Sequence, residues 1–150
     1  MQNITPFLWF DKQAEQAAKL YVSVFKNSKI IDVNRDGKKV HSVLFRINGQ
    51  TITAFNGGPY FKFTPAISFF VECKTQKEID YFWNKLSKGG KKGQCGWLQD
   101  KFGLSWQIVP AILPKLLGGK DEDGASRAFN AMLQMKKLDI KKLNLAYDGE

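Results

Sequence analysis

The chain has 150 residues, about one domain's worth. With 43% hydrophobic and 13% aromatic residues, it can bury a substantial core, which excludes wholesale disorder. No apolar stretch approaches the ~18 residues that a membrane-spanning helix needs, and MQNITPFLWF lacks the basic start and cleavage site of a secretory signal. We therefore expect a cytoplasmic protein with no membrane partner. Two cysteines, Cys73 and Cys95, are too few for a secreted disulfide framework.

The charge pattern argues against a nucleic-acid partner, although 23 basic and 14 acidic residues give a net charge of +9. The lysines are scattered singly or in pairs, and no run of five occurs. Arginine, whose planar fork suits phosphates and base edges, occurs only at Arg35, Arg46 and Arg127. The pattern indicates a solvated lysine-rich surface.

The first 57 residues predict the order β-α-β-β-β. Residues 4–10 form an apolar run typical of a strand, and Asp11 is expected to cap the helix that follows. Two hairpin signals, Asp36-Gly37 and Asn48-Gly49, then separate strands over residues 29–35, 40–47 and 51–55. The buried stripe expected on the helix is Ala14, Ala17, Ala18, Tyr21, Val22 and Phe25.

The same order returns between about residues 64 and 110. A strand over 66–71 leads to a capping box from Thr75 to Glu78, and Gly89-Gly90 ends the helix. Short strands around 91–93 and 94–99 precede a turn at 100–103 and a last strand over 104–109. The apolar stripe expected on this helix is Ile79, Phe82, Trp83 and Leu86.

The two halves are an internal repeat. A shift of 61 positions places residues 5–11 on 66–72, and a shift of 54 places residues 49–55 on 103–109. We therefore predict an α+β fold in which two βαβββ modules curl their sheets around a shared cleft.

Residues 111–150 form a further segment, for which we predict helices. One is expected over about 124–135, and another begins at the N-cap Asp139. Whether this extension packs on its own subunit or on a partner stays open. The residues expected to be buried are Ala125, Ala128, Phe129, Met132, Leu133, Ile140 and Leu143.

Five segments resemble one protein family. They are ITPFLWFD, FNGGPYFKF, AISFFVEC, GQCGWLQDKFGLSWQIVP and, in the extension, AMLQMKKLDIKKL. They are similar to the vicinal oxygen chelate (glyoxalase, bleomycin resistance and dioxygenase) superfamily, and more closely to its PhnB-like branch, often labelled 3-demethylubiquinone-9 3-methyltransferase. The resemblance implies a glyoxalase-like domain, a ligand cleft, a divalent ion in metal-dependent members and frequently a homodimer.

The resemblance also implies one metal ligand on the first and the last strand of each module. Carried over, those positions hold Thr5, Thr53, Ala66 and Gln107. None is a His, Cys, Asp or Glu, the side chains that zinc or magnesium sites use. The single histidine, His41, lies on another strand. We therefore predict no metal and no cofactor.

What remains is a pocket for a small organic ligand with polar groups and aromatic walls. Side chains alternate along a strand, so residues two apart share a face, and Ser105 shares the face of Gln107. The predicted ligand-binding residues are Thr5, Phe7, Trp9, Thr53, Phe55 and Gln107. The predicted rim residues are Trp97, Phe61, Phe63 and Cys95. Packing of these aromatics as core is the competing interpretation.

Two other functions stay open. One is a metal-dependent lyase, isomerase or dioxygenase of the same fold. The other is the methyl transfer in the family label, against which stands the lack of a Gly-rich loop between a strand and a helix. A Cys95–His41 nucleophile pair or a general base at Glu72 or Asp100 has little support from the surrounding sequence.

Overall fold

The computed structural model describes all 150 residues of the chain. They form two compact units, Met1–Phe63 and Thr64–Glu150, which we call unit 1 and unit 2. Each unit contains a four-stranded sheet, and the two sheets have equivalent strand orders. The predicted α+β fold of two βαβββ modules with a helical extension is confirmed.

Unit 1 is built around a sheet of order β1-β4-β3-β2. β1 runs parallel to β4, and the other neighbours are antiparallel. The Asn48-Gly49 hairpin forms as predicted, with φ of 47° and 83°, the positive values that this two-residue turn requires. The elements are β1 (Phe7–Phe10), α1 (Ala14–Val24), β2 (Lys29–Asp36), β3 (Lys39–Ile47) and β4 (Gln50–Asn56).

Helix α1 covers one face of the unit 1 sheet. Its alanines are fully buried, so the helix approaches the strands closely, and the Tyr21 ring lies 6.2 Å from that of Phe45. Val24 is buried, whereas Val22 and Phe25, predicted to be buried, are only partly so. The sheet contributes Leu8, Phe10, Val43, Phe45, Ile47, Ile52 and Ala54 to this core.

Two predictions at the start of unit 1 are wrong. The first strand begins at Phe7 rather than at residue 4, with Pro6 before it, although the Pro6 carbonyl still accepts a hydrogen bond from Thr53 N at 3.1 Å. Asp11 does not cap α1. The cap comes from β4, where Asn56 Oδ1 accepts from Ala14 N at 2.9 Å.

Unit 2 repeats the topology with shorter outer strands. Its first strand starts at Phe69 rather than at residue 66, because residues 65–66 form a turn. The sheet order is β5-β8-β7-β6, with β5 parallel to β8. The elements are β5 (Phe69–Cys73), α2 (Gln76–Ser87), β6 (Lys91–Lys92), β7 (Trp97–Gln99) and β8 (Ser105–Pro110).

Local hydrogen bonds hold both ends of the unit 2 core. Thr75 Oγ1 accepts from Glu78 N at 3.2 Å, as predicted, while Glu78 Oε2 reaches Lys74 N at 2.8 Å instead of the N-cap amide. In the turn before β8, the buried Asp100 carboxylate accepts from two backbone amides and, at 3.0 Å, from Trp106 Nε1.

The extension forms α3 (Leu113–Leu117), α4 (Glu122–Leu133) and α5 (Ile140–Asp148). Asp121 and the predicted Asp139 cap the two longer helices. The extension packs on unit 2 of its own chain, which answers the question left open by the sequence. Its core is Val109, Leu113, Leu116, Ala128, Leu138 and Leu143.

The burial predicted for α4 is partly wrong. Phe129 and Leu133 are 46% and 44% exposed, because α4 meets its neighbours through Gly124 and Ala128. Leu138, in the linker before α5, is fully buried instead. None of the helices is suited to crossing a membrane, since even the longest have 12 residues.

Candidate functional site

The face of the unit 1 sheet opposite α1 carries an aromatic cluster. Phe7 lies opposite Thr53, and Trp9 opposite Phe55, in the pairing of β1 with β4. The Phe55 ring lies 5.4 Å from that of Phe7 and 5.1 Å from that of Trp9, and Phe61 lies 5.0 Å from Trp9. We call Phe7, Trp9, Thr53, Phe55 and Phe61 the aromatic face.

The FNGGPYFKF segment holds Trp9 in place. Trp9 Nε1 donates to the Gly58 carbonyl at 2.9 Å, and the indole lies so close to Gly57 that a Cβ there would clash with Trp9 Cζ2. Phe63, predicted for the rim, instead packs on Phe10 with ring centres 5.2 Å apart. Four of the predicted ligand-binding residues thus share one face, supported by the segment that follows β4.

Thr5 and Ala66, the first-strand positions carried over from the resemblance, lie outside the strands. Thr5 is exposed ahead of β1, and Ala66 is exposed in the turn ahead of β5. Thr53 and Gln107, the last-strand positions, do lie on strands. Thr53 is partly buried between Phe7 on β1 and Leu44 on β3.

The corresponding face of unit 2 is more polar. In the strand register, Gln107 lies between Phe70 on β5 and Trp97 on β7. Gln107 Nε2 donates to Ser68 Oγ at 3.0 Å, so its carboxamide is oriented by the segment that leads into β5. Phe70 is largely exposed.

Next to Gln107, unit 2 contains a pocket of about 440 Å³. Ser105 lies at this pocket, is 1% exposed, and its Oγ has no hydrogen-bond partner in the protein. The sequence placed Ser105 on the face of Gln107 but missed the contributions of β6 and of the β6–β7 turn. The pocket is lined among others by Lys91, Gly93, Gln94, Trp97, Gln99 and Ser105.

The thiols do not form a nucleophilic site. Burial, together with the nearby Glu78 and Glu72 carboxylates, raises the pKa of Cys73 to about 11, so this thiol stays protonated at neutral pH. Cys95 Sγ contacts the Met132 carbonyl of α4 at 3.6 Å. The Asp100 carboxylate stabilises the turn before β8 through the hydrogen bonds described above, and we assign it no role as a general base.

The donor set does not fit a divalent metal ion. The positions that the resemblance assigns to metal ligands hold two hydroxyls, a methyl group and a carboxamide. Nowhere in the chain do three or more His, Cys, Asp or Glu side chains gather as a metal site. Zinc and manganese sites draw on imidazole, thiolate or carboxylate ligands.

Comparison with known proteins identifies the family. Residues 2–109 match the family model described as 3-demethylubiquinone-9 3-methyltransferase. The PhnB protein of Bacillus cereus, a candidate 3-demethylubiquinone-9 3-methyltransferase, is 35% identical over 73% of this chain and 100% of that one, with a TM-score of 0.69. The chain belongs to this family. It is a PhnB-like protein.

More distant solved structures share the fold. A Pseudomonas aeruginosa protein is 17% identical, with 73% of this chain and 98% of that one covered and a TM-score of 0.62. The fosfomycin resistance protein FosX of Listeria monocytogenes, solved with Mn(II) and sulfate, is 14% identical over 71% and 89% of the two chains, with a TM-score of 0.52. No curated protein matches this chain. The family model ends at residue 109, so the extension lies outside it.

Proposed function

We propose that this PhnB-like protein binds a small organic ligand with an aromatic portion, and that it does so without a divalent metal ion. The observation that carries the proposal is the aromatic face. Phe7 is 62% exposed, yet it lies within a continuous set of ring contacts that runs through Phe55 and Trp9 to Phe61. An exposed apolar cluster with a hydroxyl beside it has the chemistry of a small-molecule site.

The chemistry of the carried-over positions supports binding without a metal. Two hydroxyls and a carboxamide bring no negative charge to offset the loss of water from a divalent ion. We expect Gln107→Glu to leave zinc affinity poor, because one carboxylate cannot replace a full ligand set. Tight zinc binding by this variant, measured by calorimetry, would mean that the ligand positions were assigned to the wrong residues.

The binding experiment compares two exposed apolar side chains of unit 1. Aromatic fragments such as indole and naphthol are titrated into the purified protein, and their dissociation constants are measured by ligand-observed NMR. Phe7→Ala is expected to weaken binding about fivefold or more, since a ring contact is lost. The matched control Ile31→Ala, on the outer strand β2, should leave binding unchanged. Equal effects of the two variants would contradict a site on the aromatic face.

The alternatives are separated by two further measurements. Stoichiometric zinc, nickel, iron or manganese in the purified protein would contradict the metal-free proposal and favour a metal-dependent enzyme. Binding of S-adenosylmethionine in calorimetry would favour the methyl transfer in the family description. We expect neither.

The same proposal includes the homodimer that the resemblance implies. Light scattering should give twice the chain mass of 17.0 kDa. A monomer at micromolar concentration would contradict the homodimer and leave the ligand proposal standing.

A further inference from the structure

The pocket in unit 2 has a row of polar side chains across three strands. Lys91 on β6 pairs with Gln99 on β7, and Gln99 pairs with Ser105 on β8. Residues that pair directly in antiparallel strands project from the same face of a sheet. A cation, an amide and a hydroxyl therefore lie side by side at the pocket.

The buried, unpartnered hydroxyl of Ser105 indicates that this row of polar side chains is a ligand site. A buried hydroxyl without a partner is unfavourable, because it has left water and gained no hydrogen bond in return. Ser105 is 1% exposed and its Oγ is the one buried side-chain polar atom without a partner in the protein. A ligand oxygen in the pocket would supply the missing partner.

The charges around the pocket favour an anion. Lys91 and Lys92 both line it, and no Asp or Glu does. The amide side chains of Gln94 and Gln99 are neutral donors that an anion tolerates. Trp97 lies on the same face, two residue pairs along from Gln99 and paired with Gln107. Its partly buried indole provides a flat apolar wall.

We propose that this pocket receives the anionic oxygen group of a planar organic anion. Ser105 Oγ donates a hydrogen bond to one oxygen, Lys91 neutralises the charge, and the Trp97 indole covers the ring that bears the group. The inference goes beyond the proposed function, because it assigns a second ligand site, in unit 2, to an aromatic carboxylate or aryl phosphate.

The experiment uses four probes on the whole chain. Benzoate and phenyl phosphate carry the anion on a ring, benzamide is the neutral match of benzoate, and inorganic phosphate has no ring. Each probe is titrated while the amide NMR signals of Gly93, Gln94 and Ser105 are followed. We expect benzoate or phenyl phosphate to shift these signals at concentrations at least about tenfold lower than benzamide requires, because a hydrogen bond to a charged group is the stronger kind.

Variants then assign the contacts. Ser105→Ala should weaken binding of the preferred anion about tenfold while leaving Tm unchanged or higher, because the hydroxyl has no partner to lose. Lys91→Gln should weaken binding of the preferred anion about threefold. The controls Ser126→Ala and Lys77→Gln, at exposed positions of unit 2, should change neither binding nor Tm.

The outcomes separate this inference from the proposed function. Equal affinity for benzoate and benzamide, or a Tm that falls by several degrees in Ser105→Ala, overturns the inference. If inorganic phosphate binds as tightly as benzoate or phenyl phosphate, the pocket does not recognise the aromatic ring, and that part of the inference is overturned. Probes that shift only signals of the aromatic face overturn the inference and leave the proposed function intact, whereas probes that shift neither set contradict both.

Discussion

The two units share a topology but are stabilised differently. In unit 1, the strands β2, β3 and β4 have 8, 9 and 7 residues, and long antiparallel pairings hold the sheet together. In unit 2, β6 and β7 have only 2 and 3 residues. The extension supplies the missing contacts, since the amides of Cys95 and Gly96 donate to the carbonyls of Met135 and Lys136 at 2.8 Å.

The difference teaches that the two units are alike on their helix-covered faces, which are apolar and buried, and differ on the opposite faces. Large apolar side chains, such as Phe45 in unit 1 and Trp106 in unit 2, fill the space beneath the helices. On the opposite faces, unit 1 presents a ring cluster, whereas unit 2 presents Gln107, Ser105 and the lysines of β6.

The largest expected effect concerns the core of unit 2. Trp106→Ala should lower the free energy of unfolding by about 3–5 kcal/mol, because a 1% exposed indole leaves a cavity and Asp100 loses a hydrogen-bond donor. Denaturant unfolding measures it. Trp97→Ala, at a partly exposed indole on the other face, is the control and should cost clearly less. A loss in Trp106→Ala no larger than in the control would contradict the division into core and open faces.

A second variant tests the dependence of unit 2 on its extension. Gln76 Oε1 accepts from Ile140 N at 2.8 Å, and its Nε2 donates to the Leu138 carbonyl at 3.0 Å. Gln76→Ala should cost about 1–2 kcal/mol and speed amide exchange in α5. Lys77→Ala, one residue on and exposed, should do neither. Unchanged amide exchange in α5 would mean that the Gln76 side chain does not stabilise the packing of the extension on unit 2.

The helix caps give a smaller contrast between the units. Thr75→Ala removes a local cap from α2 and should cost about 1 kcal/mol. Asn56→Ala should cost more, because Asn56 both caps α1 and donates from Nδ2 to the Val40 carbonyl at 3.0 Å. Denaturant midpoints at constant m-value measure both. The reverse order would show that the long-range cap contributes less than the local one.

The smallest effect is a pH dependence. A hydrogen bond from Lys137, then one from Gln76, lowers the pKa of Asp80 below its ordinary 3.8. A carboxyl group with a lowered folded-state pKa stabilises the fold above its unfolded pKa, and loses this effect as pH falls through the folded value. Asp80→Asn should therefore cost about 0–1 kcal/mol at pH 7, since the pair is exposed. The stabilities of the two proteins should converge as the pH falls through the lowered folded-state pKa of Asp80. A constant difference across this range would exclude the ion pair as its cause.

The sequence determined what depends on neighbours within a few residues. The hairpin at Asn48-Gly49 and the caps at Thr75 and Asp139 arise from local chemistry, and the apolar spacing of α1 and α2 predicted which faces are buried. The repeat and the family motifs then established the fold, and strand alternation placed Phe7, Trp9, Thr53 and Phe55 on one face. These features were readable because their signals repeat every two or every 3.6 residues.

The tertiary structure decided whatever depends on residues far apart in the chain. Asn56 caps a helix that begins 42 residues earlier, so the cap assigned to Asp11 was wrong. Small residues brought α4 close to its neighbours, which left Phe129 exposed and buried Leu138. The unpartnered hydroxyl of Ser105 lies in one row with Gln99 and Lys91 only because β6, β7 and β8 align there. No local pattern encodes such contacts, since their free energy comes from packing between distant segments.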